Sequence, residues 1–300
     1  MTTEPATPPA ATAPTAPTAP TPFGVRLRAA MDAHGPLAVG IDPHRALLES
    51  WDLPVDVSGL ERFAMTCVEA FAGRVAVVKP QSAFFEVFGS RGVAVLERVL
   101  GDLRDAGTLT ILDAKRGDIG STMAAYAQAF LSDEGPGRAD ALTLSPFLGY
   151  GSLRPALDLA AATGRGVFVL ALTSKPEGPL VQHADAGGRS VAASVVDGAT
   201  ADNAPAAARG ELGHVGLVVG ATVGDAVARL GLDLAASAAP LLAPGLGAQG
   251  AGPADLRTVF GDAARNVLPN VSRSVLAAGP SVTALAEAAA REAEAVRAAV

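Results

Sequence analysis

The chain is predicted to fold as an α/β barrel of eight parallel strands, a single (β/α)8 unit, on three observations. Short, nearly continuous apolar runs recur eight times along the sequence. Longer Ala/Leu-rich segments of helical character separate them. Nearly every run closes on a polar or charged residue. Continuous apolar runs mark strands covered on both faces, and strands alternating with helices imply parallel βαβ units. Eight such units close into a barrel whose chemistry gathers at the C-terminal strand ends. A doubly wound sheet is the rival, but no Gly-x-Gly-x-x-Gly turn follows the first run.

Taken in order, the runs are Leu37–Asp42, Val75–Pro80, Leu109–Lys115, Ala141–Pro146, Gly166–Ser174, Gly216–Thr222, Pro240–Gly245 and Asn266–Arg273. Their closing polar groups are Asp42, Lys79, Asp113 with Lys115, Thr143 with Ser145, Thr173 with Ser174, Thr222, and Arg273. Leu60–Ala72 reads as a helix, with Cys67 in its middle. Pro176–Gly213 is long and rich in Gly, Ala and Asp, so it is read as a helix around Gly188–Gly198 plus a surface excursion. Ser281–Val300 opens on a capping serine and carries Glu287 four residues before Arg291, and so reads as the last helix.

The 300 residues are 49% hydrophobic and 18% charged, enough for one well-buried α/β domain over residues 23–300. Residues 1–22 are a Thr/Pro/Ala repeat with one charge, Glu4. Proline at this spacing blocks helix and sheet pairing, so a disordered or polyproline-like tail is expected there. A net charge of −7 and a pI near 5.1 exclude a general affinity for nucleic acid or anionic membrane. No stretch is long and apolar enough for a membrane span, and the tail lacks the pattern of a secretory signal. Cys67 has no possible partner within the chain, which fits a buried thiol in a reducing cytoplasm.

The most informative stretch is Asp113-Ala-Lys115-Arg-Gly-Asp118. Period-two alternation puts Asp113 and Lys115 on one side, and the glycine lets Asp118 curl back beside them. Carboxylates and ammonium groups are costly to bury unless paired, so their alternation at a strand end suggests a task. By itself the hexapeptide is also compatible with a structural ion pair at a strand-to-helix turn. Lys79 sits in an apolar run one strand earlier, where it either snorkels to the barrel mouth or pairs with a buried carboxylate. The barrel register favours pairing and gives an alternating array of Lys79, Asp113, Lys115 and Asp118. Such an array fixes its electrostatics before any ligand arrives.

Two further segments point to an anion. Pro244-Gly245-Leu-Gly247-Ala-Gln249-Gly250 follows the seventh run, where repeated glycines free backbone N–H groups to surround an oxyanion and Gln249 adds a donor. Arg273 follows the eighth run as a bidentate phosphate ligand. Loops after strands seven and eight are the common phosphate site of such barrels. His34, His44, His183 and His214 show no metal-ligand spacing, with His44 read as a helix-start residue. Lys79 and Lys115 would repel a cation from Asp113 and Asp118, so neither metal nor cofactor is assigned.

These residues carry a resemblance. The pieces are Gly40-Ile-Asp42-Pro, Val78-Lys79-Pro-Gln-Ser-Ala-Phe-Phe-Glu86, Asp113-Ala-Lys115-Arg-Gly-Asp118-Ile-Gly-Ser-Thr122, Thr173-Ser174, Pro244-Gly-Leu-Gly-Ala-Gln249-Gly and Ser272-Arg273-Ser274. In this order, over roughly residues 23–280, the chain resembles the orotidine 5′-monophosphate decarboxylase family, in its longer bacterial branch. The resemblance implies cofactor-free loss of CO2 from orotidine 5′-monophosphate, giving uridine 5′-monophosphate in pyrimidine biosynthesis. It gives Asp42 and Lys79 to the ribose hydroxyls, Asp113 to the substrate carboxylate and Lys115 to protonation of C6. Ser174 would read the pyrimidine edge, while Gln249 and Arg273 would grip the 5′-phosphate beneath the loop that includes Pro244, Gly245 and Gly247. Asp118, Ile119 and Thr122 would reach into a neighbour's site, implying a homodimer with shared sites.

The chain departs from this branch at Ser145 and Gly151, where Asn and Asp are common, and at Lys175, where Asn usually precedes the proline. A magnesium-dependent sugar-phosphate decarboxylase of the same barrel group shares the Asp-x-Lys-x-x-Asp element and is the enzymatic alternative. A non-catalytic nucleotide-binding protein is the other, and it predicts loss of an array member, whereas all four are present.

Overall fold

The computed structural model describes residues 19–246, 252 and 254–300. Residues 1–18 of the tail expected over residues 1–22 therefore lie outside the described residues, as do Gly247 and Gln249. All eight predicted strands are present: β1 Ala38–Ile41, β2 Val77–Pro80, β3 Leu109–Arg116, β4 Ala141–Leu144, β5 Gly166–Leu172, β6 Val215–Val219, β7 Leu241–Pro244 and β8 Val267–Val271. They pair in parallel in sequence order, and β8 closes on β1 through Ala38 opposite Asn270 and Val39 opposite Val271. Most strand residues are buried on both faces, which is why the runs read as continuous rather than alternating.

Inside the barrel, Val77, Ile111, Phe168, Val218, Leu242 and Leu268 form one core cluster. The helix Phe23–His34 adds Phe23, Leu27 and Met31 to that cluster, so it plugs the N-terminal end of the barrel. Phe23 meets Phe168 edge to face, with ring centroids 6.0 Å apart. Fully burying one such aromatic contributes roughly 1.5–3 kcal/mol. Gly166 makes this possible, because a Cβ there would lie 2.3 Å from the Phe23 ring. A second, larger cluster fills the space between the strands and the outer helices, and Cys67 is buried within it on the helix Val57–Phe71.

The helix after β5 differs from expectation. It spans Val191–Ala207 rather than Gly188–Gly198, because Ser190 caps it by accepting from the Ala193 N–H at 3.1 Å. The two glycines before it, Gly187 and Gly188, instead adopt positive φ in a turn held by Asp185. The final helix is Val282–Arg297, with the Ser281 hydroxyl accepting from the Ala284 N–H as the sequence suggests.

One irregularity positions the chemistry. Between Leu112 and Arg116, β3 takes four steps where β4 takes two, from Leu142 to Leu144. Asp113, Ala114 and Lys115 therefore sit in a bulge, a device that re-aims side chains beside active sites.

Candidate active site

Lys115 adopts a left-handed backbone conformation, with φ +47°. A non-glycine residue in that region is strained, by about 1–3 kcal/mol, and persists only where its surroundings impose it. The bulge rather than plain strand alternation thus brings the Lys115 ammonium onto the neighbouring carboxylate: Lys115 Nζ donates to Asp113 Oδ1 at 2.6 Å. From β2, Lys79 Nζ donates to Asp113 Oδ2 at 3.0 Å. Lys79 pairs rather than snorkels, with only 6% of its side chain exposed.

Asp113 has two more donors. The Thr143 hydroxyl on β4 donates to Oδ1 at 2.9 Å. The Gln81 amide, turned so that its nitrogen faces the carboxylate, donates to Oδ2 at 2.7 Å and to the Asp113 carbonyl at 2.9 Å. Burial alone would raise the Asp113 pKa, but Lys79 and Lys115 outweigh it and hold the carboxyl at about 2. Burial likewise works against the Lys79 ammonium, yet Asp113 and Asp42 raise its pKa above the ordinary lysine value. The result is a carboxylate kept ionised between two ammonium groups. Lys115, still 45% exposed, faces the open cleft.

Asp118 does not join this cluster within the chain, contrary to the sequence expectation. Its carboxylate accepts from the Ile119 N–H at 2.8 Å and lies in no ion pair among the described residues. The short turn satisfies Asp118 locally and ends before it can fold back over β3. Ile119 and Thr122 stand exposed beside it. Arg116 also points elsewhere, bonding Glu86 at 2.5 Å and lying against the rings of Tyr126 and Phe130.

Two adjoining cavities form the cleft. One, of about 260 Å³, is lined by Asp42, Lys79, Gln81, Asp113, Lys115 and Thr143, with Leu170, Val218 and Leu242 as an apolar floor. The other, of about 170 Å³, holds His44, Gly245, Ser272 and Arg273. Asp42, Pro244 and Asn270 line both and join them. Arg273 is exposed at the far end and forms no ion pair among the described residues. His44 stands at the start of the helix Arg45–Ser50, as predicted, and also lines the wall below Arg273. Ser174 is half-buried beside the mouth but lines neither cavity, and Lys175 is exposed.

The buried Oδ1 atoms of Asp42 and Asn270 have no hydrogen-bond partner among the described residues. Buried acceptors are costly when unsatisfied, so a pair of them in the middle of a cleft fits a ligand carrying hydroxyl groups. Sequence reasoning missed Asn270; its only sequence signal is a lone amide within the apolar run Val267–Val271. It also missed Gln81, and it noted Thr143 only as a strand-end residue. Gly40 lets this middle section pack: a Cβ there would lie 2.0 Å from Ser272 Oγ.

A family model described as orotidine 5′-phosphate decarboxylase / HUMPS matches residues 35–288. The chain belongs to this orotidine 5′-phosphate decarboxylase family. A curated orotidine 5′-phosphate decarboxylase of Streptomyces coelicolor is 62% identical over 283 residues, covering 93% of this chain and 98% of that protein. Another, from Salinispora arenicola, is 63% identical over 270 residues, covering 90% and 95%. A crystal structure from Streptomyces avermitilis, provisionally given the same name, superposes with a TM-score of 0.90 at 60% identity, covering 94% of this chain and 97% of that one. The family membership and the eight-stranded barrel thus agree with what the motifs imply.

Proposed function

We infer that this chain decarboxylates orotidine 5′-monophosphate to uridine 5′-monophosphate and CO2 in pyrimidine biosynthesis, with Lys115 as the proton donor. The family membership supports the reaction, and the Lys79–Asp113–Lys115 cluster supports the residue roles. Breaking the bond between C6 and the carboxylate carbon releases CO2 and leaves the electron pair on C6, where the ring delocalises it poorly. Lys115 Nζ–H gives its proton to C6, and the resulting amine regains a proton from water. Asp113, held ionised, keeps both ammonium groups in place before the charge develops, so little reorganisation is needed during reaction.

In this reading the orphaned Asp42 carboxylate, with Lys79 beside it, takes the ribose hydroxyls. Arg273 grips the 5′-phosphate, together with Gly245 and the loop carrying Gly247 and Gln249. Ser174 meets the pyrimidine edge from the loop after β5. Binding energy gathered at the phosphate, remote from C6, can then be used in closing the loop over the substrate.

Asp118, Ile119 and Thr122 serve the site of a second copy in a homodimer. Several large apolar side chains stand exposed after the C-terminal strand ends: Ile119 at 61%, Phe147 at 78% and, on the short helix Pro179–Gln182, Leu180 at 82%. A second copy seated over this face would cover such side chains. Mixing Lys115→Ala with Asp118→Ala chains tests the sharing, since each hybrid dimer would hold one intact site. Sharing predicts recovery to about a quarter of wild-type activity after random reassortment; no recovery would show that each chain supplies its own Asp118. No helix among the described residues is long and apolar enough to cross a membrane, and with one buried thiol we assign the cytoplasm.

The reaction is tested by the loss of orotidine monophosphate absorbance with purified protein, with and without EDTA, alongside Lys115→Ala. Turnover that ignores EDTA and disappears in the variant supports both the reaction and the donor. No turnover of orotidine monophosphate under either condition would favour the magnesium-dependent sugar-phosphate alternative. Undiminished turnover in Lys115→Ala would remove Lys115 as the proton donor.

A further inference from the structure

We propose that Thr143 is a positioning residue whose hydroxyl holds both Asp113 and the left-handed backbone of Lys115 in the geometry that proton delivery requires; this rests on the decarboxylase reading above. The Thr143 side chain lies on β4, almost fully buried, and contacts β3 across the bulge. Its oxygen accepts from two successive backbone amides, Ala114 N–H at 3.0 Å and Lys115 N–H at 2.9 Å. A hydroxyl oxygen has two lone pairs and one proton, so these two bonds use its whole accepting capacity. Its single proton is then left to donate, and it lies 2.9 Å from Asp113 Oδ1. The same Asp113 oxygen receives Lys115 Nζ at 2.6 Å.

One hydroxyl therefore ties together the backbone of Lys115, the backbone of Ala114 and the carboxylate that orients the Lys115 ammonium. The bulge takes the Ala114 and Lys115 amides out of register with β4, and Thr143 is the group that satisfies them. A strained φ of +47° at Lys115 persists only if its surroundings over-determine it, and these paired bonds supply that constraint. A merely structural role would need only the two bonds to the bulge amides. Here two of the three fall on Lys115 and Asp113, the residues that do the chemistry, and the third on Ala114 between them, while the phosphate end of the cleft is formed by other strands.

The test compares wild type, Thr143→Ser and Thr143→Val. Valine keeps the shape and removes the hydroxyl; serine keeps the hydroxyl and removes the methyl. Displacing a reacting group by about 1 Å costs on the order of 100-fold in rate, so kcat of the valine variant is expected to fall by about that factor. KM for orotidine monophosphate should stay within about threefold, the pattern of an interaction felt at the transition state. Serine should hold kcat within about fivefold of wild type. Losing a donor to the carboxylate also raises its pKa, so the acid limb of kcat should move to higher pH in the valine variant and not in the serine one.

Melting curves and uridine monophosphate binding establish that each variant is folded. If the valine chain does not fold, Thr143→Ala is read against serine in the same way. Retention of wild-type kcat by the valine or alanine variant would overturn the proposal, as would equal losses in serine and valine. Failure of the wild-type chain to decarboxylate the substrate would instead overturn the functional reading, and the positioning role with it.

Discussion

Lys79 Nζ stands 3.0 Å from Asp113 Oδ2, and both side chains are almost wholly withdrawn from solvent, at 6% and 12% exposure. Breaking a buried pair by neutralising one partner strands the other charge and costs about 3–5 kcal/mol. Asp113→Asn keeps the shape but removes the charge, so a loss of about that size is expected in urea denaturation. Adding Lys79→Met should restore a good part of it, because the stranded ammonium goes too. Additive losses in the double variant would show that the two are not coupled.

The same pair makes stability depend on acid. The native Asp113 carboxyl is held at about 2, against about 3.9 for an ordinary aspartate. The native state therefore binds this proton more weakly than the unfolded state does. The stability it contributes is full above about pH 4 and is lost as pH falls towards about 2. The amount is about 2–3 kcal/mol. Asp113→Asn should show a shallower decline than wild type across that window; parallel curves would contradict the assignment.

Gly40 and Ser272 are matched in the middle of the cleft. A methyl at Gly40 would lie 2.0 Å from Ser272 Oγ and 3.2 Å from Asp42 Oδ1. Ser272 immediately precedes the helix Arg273–Leu276, so displacing it moves Arg273 as well. Gly40→Ala should raise KM about tenfold, equivalent to the roughly 1–3 kcal/mol of overpacking, with a smaller effect on kcat. Ser272→Ala in the same chain removes the worst contact and should return KM towards wild type. Steady-state kinetics of the two variants decide this.

At the opposite end of the barrel, Asn203 is completely buried and does structural work. Its Nδ2 donates to the Val215 carbonyl at 2.8 Å and to the Ser237 carbonyl at 3.1 Å, and its Oδ1 accepts from Val215 N–H at 3.1 Å. Asn203→Ala would orphan three backbone groups where β6 begins. A loss of about 3 kcal/mol is expected, seen as a lower melting temperature. Because barrel chemistry lies at the other face, kcat below the transition should stay unchanged. A fall in kcat without a fall in stability would contradict this division.

Much of the site was legible before the fold. Lys79, Asp113 and Lys115 stand out because charged groups at the ends of apolar strands need partners, and the barrel register brings neighbouring strand ends together. Asp42 and Arg273 were legible for the same reason. Asp118 was legible as a residue type but not as a placement: its local bond to the Ile119 N–H competes with the longer reach to Asp113. The plug helix Phe23–His34 was missed, since it has no capping side chain and only a weak apolar face. Its fit depends on a groove built by strands far along the chain.

The sequence by itself determined the eight buried strands, their parallel order and the charges at their C-terminal ends. These follow from local hydrophobicity, chain connectivity and the cost of burying unpaired charge. Only the tertiary structure decided how Asp113 is saturated with donors, that Lys115 is held left-handed, and that Asp42 and Asn270 face the cleft unsatisfied. Each of these depends on the register between strands. Thr143 reaches Lys115 from 28 residues away, across a bulge that no periodicity in either strand announces.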